Sequence, residues 1–246
     1  MKLLLDIVRF QPEGAAGSRV QRFEVEAAPG GRLLDVLVDI QRRIDPSLSF
    51  RKSCGHGVCG SDAMLVNGRE RLACRTLVRD VAGEGRPAVI VEPLRNLEVI
   101  RDLVVGQEPF FDRYRGVKPY FIAEDAGPPG RERLQTPEER GAIDDATNCI
   151  LCAACFSACP VVRDVDPHFI GPAAVVQACR FQEDSRDRGF EERLAALDRP
   201  DGVWPCENRF ECTRVCPRGI KVTKLINLTK RRIAAFKDSR PKERPR

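Results

Sequence analysis

The sequence predicts an α+β chain in two parts, a small mixed-sheet domain followed by a helical one. Three observations carry that expectation. Extended β-rich runs are confined to the N-terminal part, strand signals vanish from about Ala142 onward, and a proline-punctuated stretch separates the two regions. Lys2–Phe10 and Gln21–Glu26 read as two strands separated by a Gly-containing turn region. Leu33–Ile44 places apolar residues at helical spacing. A loop rich in glycine and cysteine follows, and Ala88–Glu92 reads as a closing strand. Two strands, a helix, a loop and returning strands fit a β-grasp domain over residues 1–106. Residues 107–140 carry Pro109, Pro119, Pro128, Pro129 and Pro137 and read as an extended connector with one short aromatic helix, Phe110–Tyr114. Residues 141–236 should be helical, and residues 237–246 form a basic tail.

At 246 residues the chain can hold one large or two small domains. The formal charge is +5, but Lys224–Arg246 carries nine basic residues against two acidic ones, so the rest is slightly acidic. That tail reads equally as a solvated end or as an attraction to anionic headgroups or an acidic partner. Balanced charge elsewhere argues against nucleic acid as a partner. The longest uncharged run, Ala146–Val162, is too short for an ordinary membrane span and contains four cysteines and Pro160. The eleven cysteines are odd in number, and the chain opens with no signal peptide or twin-arginine leader. The expectation is free thiols in a reducing compartment rather than disulfides.

The cysteine spacing is the most informative feature. Cys149-Ile-Leu-Cys152-Ala-Ala-Cys155-Phe-Ser-Ala-Cys159-Pro160 has the spacing of bacterial ferredoxins. A tight loop brings three thiolates to one small volume, while the fourth, farther along, ligates a second cluster. The complementary segment is Cys206-Glu-Asn-Arg-Phe-Glu-Cys212-Thr-Arg-Val-Cys216-Pro217, in which Arg209 stands where a full copy would place cysteine. Cys149, Cys152, Cys155 and Cys216 therefore supply four thiolates, enough for [4Fe–4S]. Cys159, Cys206 and Cys212 supply three, which favours [3Fe–4S]. A guanidinium has no lone pair to offer in place of the missing sulfur. Structural zinc is the competing reading, but it calls for two isolated pairs and explains neither Cys-Pro ending.

A further ligand set lies upstream in Cys54-Gly-His-Gly-Val-Cys59-Gly-Ser-Asp62, with Cys74 beyond it. This is plant-type [2Fe–2S] spacing with Asp62 in the third ligand position, an oxygen in place of one sulfur. Gly55, Gly57 and Gly60 allow tight bends that bring backbone N–H groups near the sulfurs. A Rieske centre needs a second Cys/His pair. Cys74 is followed by Arg75, Thr76 and Leu77, and His168 has no adjacent cysteine. Cys179, within Val175–Phe181, is left over and reads as a small buried apolar residue on a helix. The fold class is thus α+β, an N-terminal β-grasp [2Fe–2S] ferredoxin-like domain followed by an all-helical ferredoxin-like domain carrying [4Fe–4S] and [3Fe–4S].

With these motifs in place the chain resembles, over nearly its full length, the iron–sulfur subunit of succinate dehydrogenase and fumarate reductase (respiratory complex II), in a bacterial version. Matching text includes Arg51-Lys-Ser-Cys54, Asn67-Gly68 with Leu72-Ala-Cys74, Asp102-Leu103 before Phe110-Phe111, Phe169-Ile-Gly-Pro172, Asp184-Ser-Arg-Asp187 and Cys216-Pro-Arg-Gly219. Some family members also carry aspartate at the position of Asp62. The resemblance implies an electron-transfer subunit of a succinate:quinone oxidoreductase in the tricarboxylic acid cycle and respiratory chain. Electrons would pass from a FAD-containing flavoprotein subunit through the [2Fe–2S], [4Fe–4S] and [3Fe–4S] clusters to quinone. The quinone site would lie against membrane-anchor subunits that often carry haem b. It implies a peripheral location on the cytoplasmic face of the bacterial inner membrane, and no dicarboxylate site on this chain. One departure concerns the quinone site. The family commonly places Trp and Ser shortly after the proline at position 160, and often His after the cysteine at 206. Here Val161–His168 follows Pro160, and Glu207 follows Cys206. Pro160 carries over as a wall residue, and Arg163, Asp164 and Arg209 are rim candidates, with solvated loop charge as the other reading. A fumarate reductase subunit, a subunit serving another flavoprotein and a free-standing soluble carrier stay open as alternatives.

Overall fold

The computed structural model describes residues 1–12, 17–83, 88–123 and 130–239. The chain divides into two units that do not follow chain order. One comprises Met1–Pro109, Ile150–Ala158 and Val215–Pro217; the other comprises Phe110–Cys149, Cys159–Arg214 and Arg218–Arg246. A sequential division at residues 106 and 141 is therefore replaced by one in which two short cysteine-bearing segments join the N-terminal unit.

In the first unit, strand β1 (Lys2–Phe10) pairs antiparallel with β2 (Ser18–Glu26) from Lys2↔Glu26 to Phe10↔Ser18. Along β1 the buried positions are Leu3, Leu5, Ile7 and Arg9, the period-2 pattern of a strand with one face inward. Helix α1 (Leu33–Arg43) buries Leu33, Leu34, Val36, Leu37 and Ile40, one stripe at helical spacing. Strands β3 (Ala63–Val66) and β4 (Arg69–Leu72) form a hairpin whose two turn residues, Asn67 and Gly68, have φ of 53° and 77°. Two left-handed residues at a two-residue turn match the right-handed twist of the strands. Strand β5 (Val89–Glu92) lies parallel to β1 and antiparallel to β3, giving the sheet order β2-β1-β5-β3-β4. The first and last strands are thus central and parallel, the β-grasp arrangement. A second hairpin, β6 (Val99–Arg101) and β7 (Val104–Val105), follows.

The exception on the inner face of β1 is Arg9. Its guanidinium donates to Asp102 (2.9 Å), Asp45 (2.6 Å), Gln21 (2.6 Å) and Ser47 (2.9 Å). Asp102 also accepts the N–H of Phe10 (3.1 Å) and of Ser49 (2.8 Å). A charge this deeply buried is tolerable because every partner is supplied. The cluster ties β1, the end of α1 and the β6–β7 turn together.

In chain order the remaining helices are α2 (Glu108–Gly116), α3 (Pro137–Thr147), α4 (Ala154–Ser157, within the first unit), α5 (Pro172–Gln182), α6 (Phe190–Leu197), α7 (Glu211–Arg214) and α8 (Val222–Ser239). A π-turn spans Val161–Val165. Among the described residues, the regular elements of the second unit are helices and helical turns. Helix α5 follows Gly171 (φ 85°) and begins with Pro172, whose fixed φ suits a first turn. It is buried on all sides but Arg180, with α3, α6 and α8 packed against it.

Helix α3 begins inside the stretch expected as connector. The Thr136 hydroxyl accepts the Glu139 N–H (3.2 Å) and the Glu139 carboxylate accepts the Thr136 N–H (2.8 Å). This reciprocal box satisfies two donors of the first turn. The short aromatic helix is present as α2. The Asp187–Arg193 pair, both buried, holds the chain before α6: Arg193 donates to Asp187 (2.6 and 3.0 Å) and to the carbonyls of Lys118 and Tyr120. The expected tail starts inside α8, and residues 240–246 lie outside the described residues, as do Pro128 and Pro129.

Candidate iron–sulfur centres

The first ligand set sits in the loop between α1 and β3. The N–H groups of His56, Val58 and Cys59 point at Cys54 Sγ at 3.5, 3.5 and 3.3 Å, and the N–H of Cys54 points at Cys59 Sγ at 3.5 Å. These amides lower the Cys54 thiol to about 6, favouring thiolate. The loop can turn its amides inward because Gly55, Gly57 and Gly60 have φ of 71°, 81° and 69°. A Cβ on Gly57 would stand 2.7 Å from the Arg75 side chain. Ser61 Oγ lies 3.1 Å from Cys59 Sγ.

Asp62 and Cys74 form the other half of this set. Asp62 is 2% exposed, and its Oδ2 accepts the Cys74 N–H at 2.5 Å. Its Oδ1 is buried with no hydrogen-bond partner among the described residues. A buried carboxylate oxygen with a lone pair to spare is costly unless something fills it. Burial, and then the neighbouring Asp62, push the Cys74 thiol up to about 12. Two anionic groups side by side are stabilised when a metal cation lies between them, and a coordinating thiol is then deprotonated outright. The donor set, the orphan oxygen and the amide cradle fit an iron–sulfur cluster held by Cys54, Cys59, Asp62 and Cys74.

The second set is carried by the turn around Cys152. Leu151 and Ala153 on either side have φ of 53° and 62°, rare values for residues with a Cβ. Such strain is expected where a loop wraps a bound group. Cys152 is buried and Cys155 half-buried on α4, and Val215–Pro217, with Cys216, belongs to the same unit. Cys149 closes the α3 end of the other unit. The α4 segment is pinned to the N-terminal sheet. Ser157 Oγ donates to Glu70 Oε1 (2.8 Å) and accepts the Arg95 N–H (2.9 Å), while Asn96 Nδ2 donates to the Phe156 carbonyl (2.9 Å). Gly60 of the first loop abuts it: a Cβ there would stand 2.6 Å from Cys152 Cβ.

The third set lies within the second unit. Cys159, Cys206 and Cys212 line one narrow cleft together with Pro160, Arg209 and Thr223. Burial foremost, with the charges of Cys212 and Cys206 adding, pushes the Cys159 thiol up to about 11. Burial raises the Cys212 thiol too, against the Thr223 hydroxyl. The loop after Cys206 repeats the turn after Cys149: Asn208 and Phe210 have φ of 57° and 64°, two and four residues on. Arg209 therefore occupies the place that Cys152 holds in the first copy. Its guanidinium turns to Glu207 (2.9 and 2.8 Å), with the side chain 64% exposed. Lys230 on α8 clips the loop through the Cys206 carbonyl (2.9 Å). The conformation of a ferredoxin loop is kept, and its central sulfur is absent.

Among the described residues no three Cys, His, Asp or Glu side chains are gathered tightly enough to hold a single ion. Of the quinone candidates, Pro160 and Arg209 line the third cleft, while Arg163 and Asp164 pair with each other (2.9 and 2.7 Å) outside its lining. Cys179 is buried in α5, its thiol pushed up to about 12 by burial. The Ser157–Glu70 clip joins residues 87 apart in the chain and leaves no local sequence signal, and nothing in the spacing marks Thr223 as a neighbour of Cys212. The β3–β4 hairpin had a readable signal in Asn67-Gly68.

Comparison with known proteins agrees with this geometry. Residues 4–112 match the family described as a 2Fe-2S iron-sulfur cluster binding domain, and residues 145–220 match a 4Fe-4S dicluster domain. The molecule is thus an iron–sulfur protein with a [2Fe–2S] ferredoxin-type domain followed by a 4Fe-4S dicluster domain. The succinate dehydrogenase iron-sulfur subunit of Coxiella burnetii is 40% identical over 225 residues, 91% of this chain and 94% of that protein. The fumarate reductase iron-sulfur subunit of Mycobacterium tuberculosis is 40% identical over 221 residues, 89% and 87% of the two chains. A chain of the Mycobacterium smegmatis Sdh1 complex in the apo form superimposes with a TM-score of 0.86 at 29% identity, covering 97% of this chain and 98% of that one. The chain belongs to the family of iron–sulfur subunits of succinate dehydrogenase and fumarate reductase.

Proposed function

We propose that the chain carries electrons between a FAD-containing flavoprotein subunit and membrane quinone, as the iron–sulfur subunit of a succinate:quinone oxidoreductase. Bound clusters supply one-electron redox chemistry, with potentials set by ligand type, hydrogen bonds to sulfur and burial. Cys54, Cys59, Asp62 and Cys74 hold [2Fe–2S]. Cys149, Cys152, Cys155 and Cys216 hold [4Fe–4S]. Cys159, Cys206 and Cys212 hold [3Fe–4S], in an all-helical ferredoxin-like domain. The observation that carries this reading is the third cleft, which three cysteines line and in which the fourth ligand position is an outward-facing arginine.

The protein's own residues fix the ligands and shield them. The amides at Cys54 neutralise negative charge, the Ser157 and Asn96 clips hold the α4 segment, and α8 holds the third loop. No dicarboxylate chemistry is assigned to this chain. Among the described residues no helix is long and apolar enough to cross a membrane, so attachment would run through anchor subunits, with haem b in those subunits. We place the complex on the cytoplasmic face of the inner membrane. Quinone would meet the chain at the third cleft, against Pro160 and Arg209, with Arg163 and Asp164 farther out.

Affinity purification of the tagged chain from detergent-solubilised membranes, followed by electron paramagnetic resonance (EPR), tests this. The expected result is a co-purifying flavoprotein and three signals, two on reduction and one [3Fe–4S] signal in the oxidised sample. A cluster-loaded monomer would overturn the subunit role. Zinc at the cysteines would overturn the redox role.

A further inference from the structure

Cys212, one thiol of the third set, has a buried hydroxyl beside its sulfur. Thr223, 1% exposed at the start of α8, has its Oγ1 3.5 Å from Cys212 Sγ. Thr213 Oγ1 lies 3.0 Å from Thr223 Oγ1, and the Thr223 N–H donates to Thr213 Oγ1 at 3.0 Å. That N–H is among those a helix start leaves without an internal partner.

Cys212 also takes hydrogen bonds from the Thr213 side chain and N–H, and proton counting limits how the hydroxyls can share these bonds. Each hydroxyl has one proton to give. A ligating Cys212 thiolate has none, so it accepts. When the Thr223 hydroxyl, 3.5 Å from the sulfur, donates to it, its oxygen is free to accept from Thr213. Thr213, which already accepts the Thr223 N–H, then gives its proton to Thr223. The result is a closed relay running from backbone N–H to Thr213 to Thr223 to Cys212 Sγ, in which each bond polarises the next.

We propose that Thr223, supported by Thr213, is a positioning residue that acts through Cys212 to raise the reduction potential of the third centre. This rests on the assignment of Cys159, Cys206 and Cys212 to [3Fe–4S]. Accepting one electron adds one negative charge to the cluster and its thiolates. A donor aimed at a ligand sulfur stabilises that added charge more than the oxidised state. The relay therefore tilts the one-electron couple toward reduction without supplying an electron or a proton.

The test is an EPR-monitored redox titration of the [3Fe–4S] signal in the intact complex. Thr223→Val should lower the reduced-to-oxidised ratio at fixed potential about tenfold, a fall of about 59 mV in midpoint for one electron. Thr223→Ser, which keeps the hydroxyl, should restore the native midpoint. Thr213→Val should shift it in the same direction by less. A role in packing alone would reduce cluster content and leave the midpoint in place. An unchanged midpoint in Thr223→Val overturns the inference. If that variant fails to load, an unchanged midpoint in Thr213→Val does so. Absence of the signal from the wild-type complex overturns the cluster assignment, and this inference with it.

Discussion

Arg209 shows how far one residue can be read from sequence. Its departure from the cysteine spacing needs no coordinates to notice, and the structure adds that the backbone ignored the change. Asn208 and Phe210 keep the left-handed turns that flank Cys152 in the other loop. Arg209→Cys should therefore place a thiol where the third centre lacks one. The expected outcome is loss of the oxidised-state [3Fe–4S] signal and a new [4Fe–4S] signal on reduction; persistence of the original signal would show that residue 209 does not decide cluster type. Ligands are legible because their spacing is local and their chemistry is specific. Asp62 stands out as a candidate ligand for the same reason, although its spare buried oxygen leaves no mark in the sequence. Thr223, Ser157 and Glu70 were illegible, since each matters through a partner that the chain reaches only after folding.

Elements were read well where a single face decides them, as in β1, β2 and α1. The expected Leu33–Ile44 helix ends one residue earlier. Elements set by turn chemistry escaped. The β3–β4 hairpin follows from Asn67-Gly68 and the start of α3 from the Thr136–Glu139 box, both signals of a few residues. What no periodicity could reveal is the close approach of two loops at Gly60. Alanine there meets two obstacles. Its left-handed backbone costs about 1–2 kcal/mol. Its methyl would press on Cys152, and overpacking of that kind costs about 1–3 kcal/mol. Gly60→Ala should lower the thermal midpoint and reduce both the [2Fe–2S] and [4Fe–4S] signals, leaving [3Fe–4S] intact. Loss confined to the [2Fe–2S] signal would argue against contact between the loops. The measurement is spin quantitation of each cluster against total iron.

At the scale of the molecule, the buried Arg9 cluster couples folding to pH. Hydrogen bonds from Ser47, and then from Arg9, hold the Asp45 carboxyl well below the usual carboxylate range. Its ionised form therefore stabilises the fold above a pH of about 4, and the contribution is lost as the pH falls through the lowered value. Asp45→Asn should melt below the native protein at pH 7, and the gap should begin to narrow between pH 4 and pH 3 in circular dichroism melts. A gap constant across that range would exclude Asp45 as the titrating group. The division of the chain was the least legible feature, because Ile150–Ala158 and Val215–Pro217 belong with a sheet encoded far upstream. That interleaving has a consequence for biosynthesis. The sheet of the N-terminal unit can form early in translation, yet its final piece, Val215–Pro217, leaves the ribosome long after the rest of that unit. Under the proposed ligand assignment, iron delivery to the set that includes Cys216 waits until that segment has been made, long after the sheet it joins.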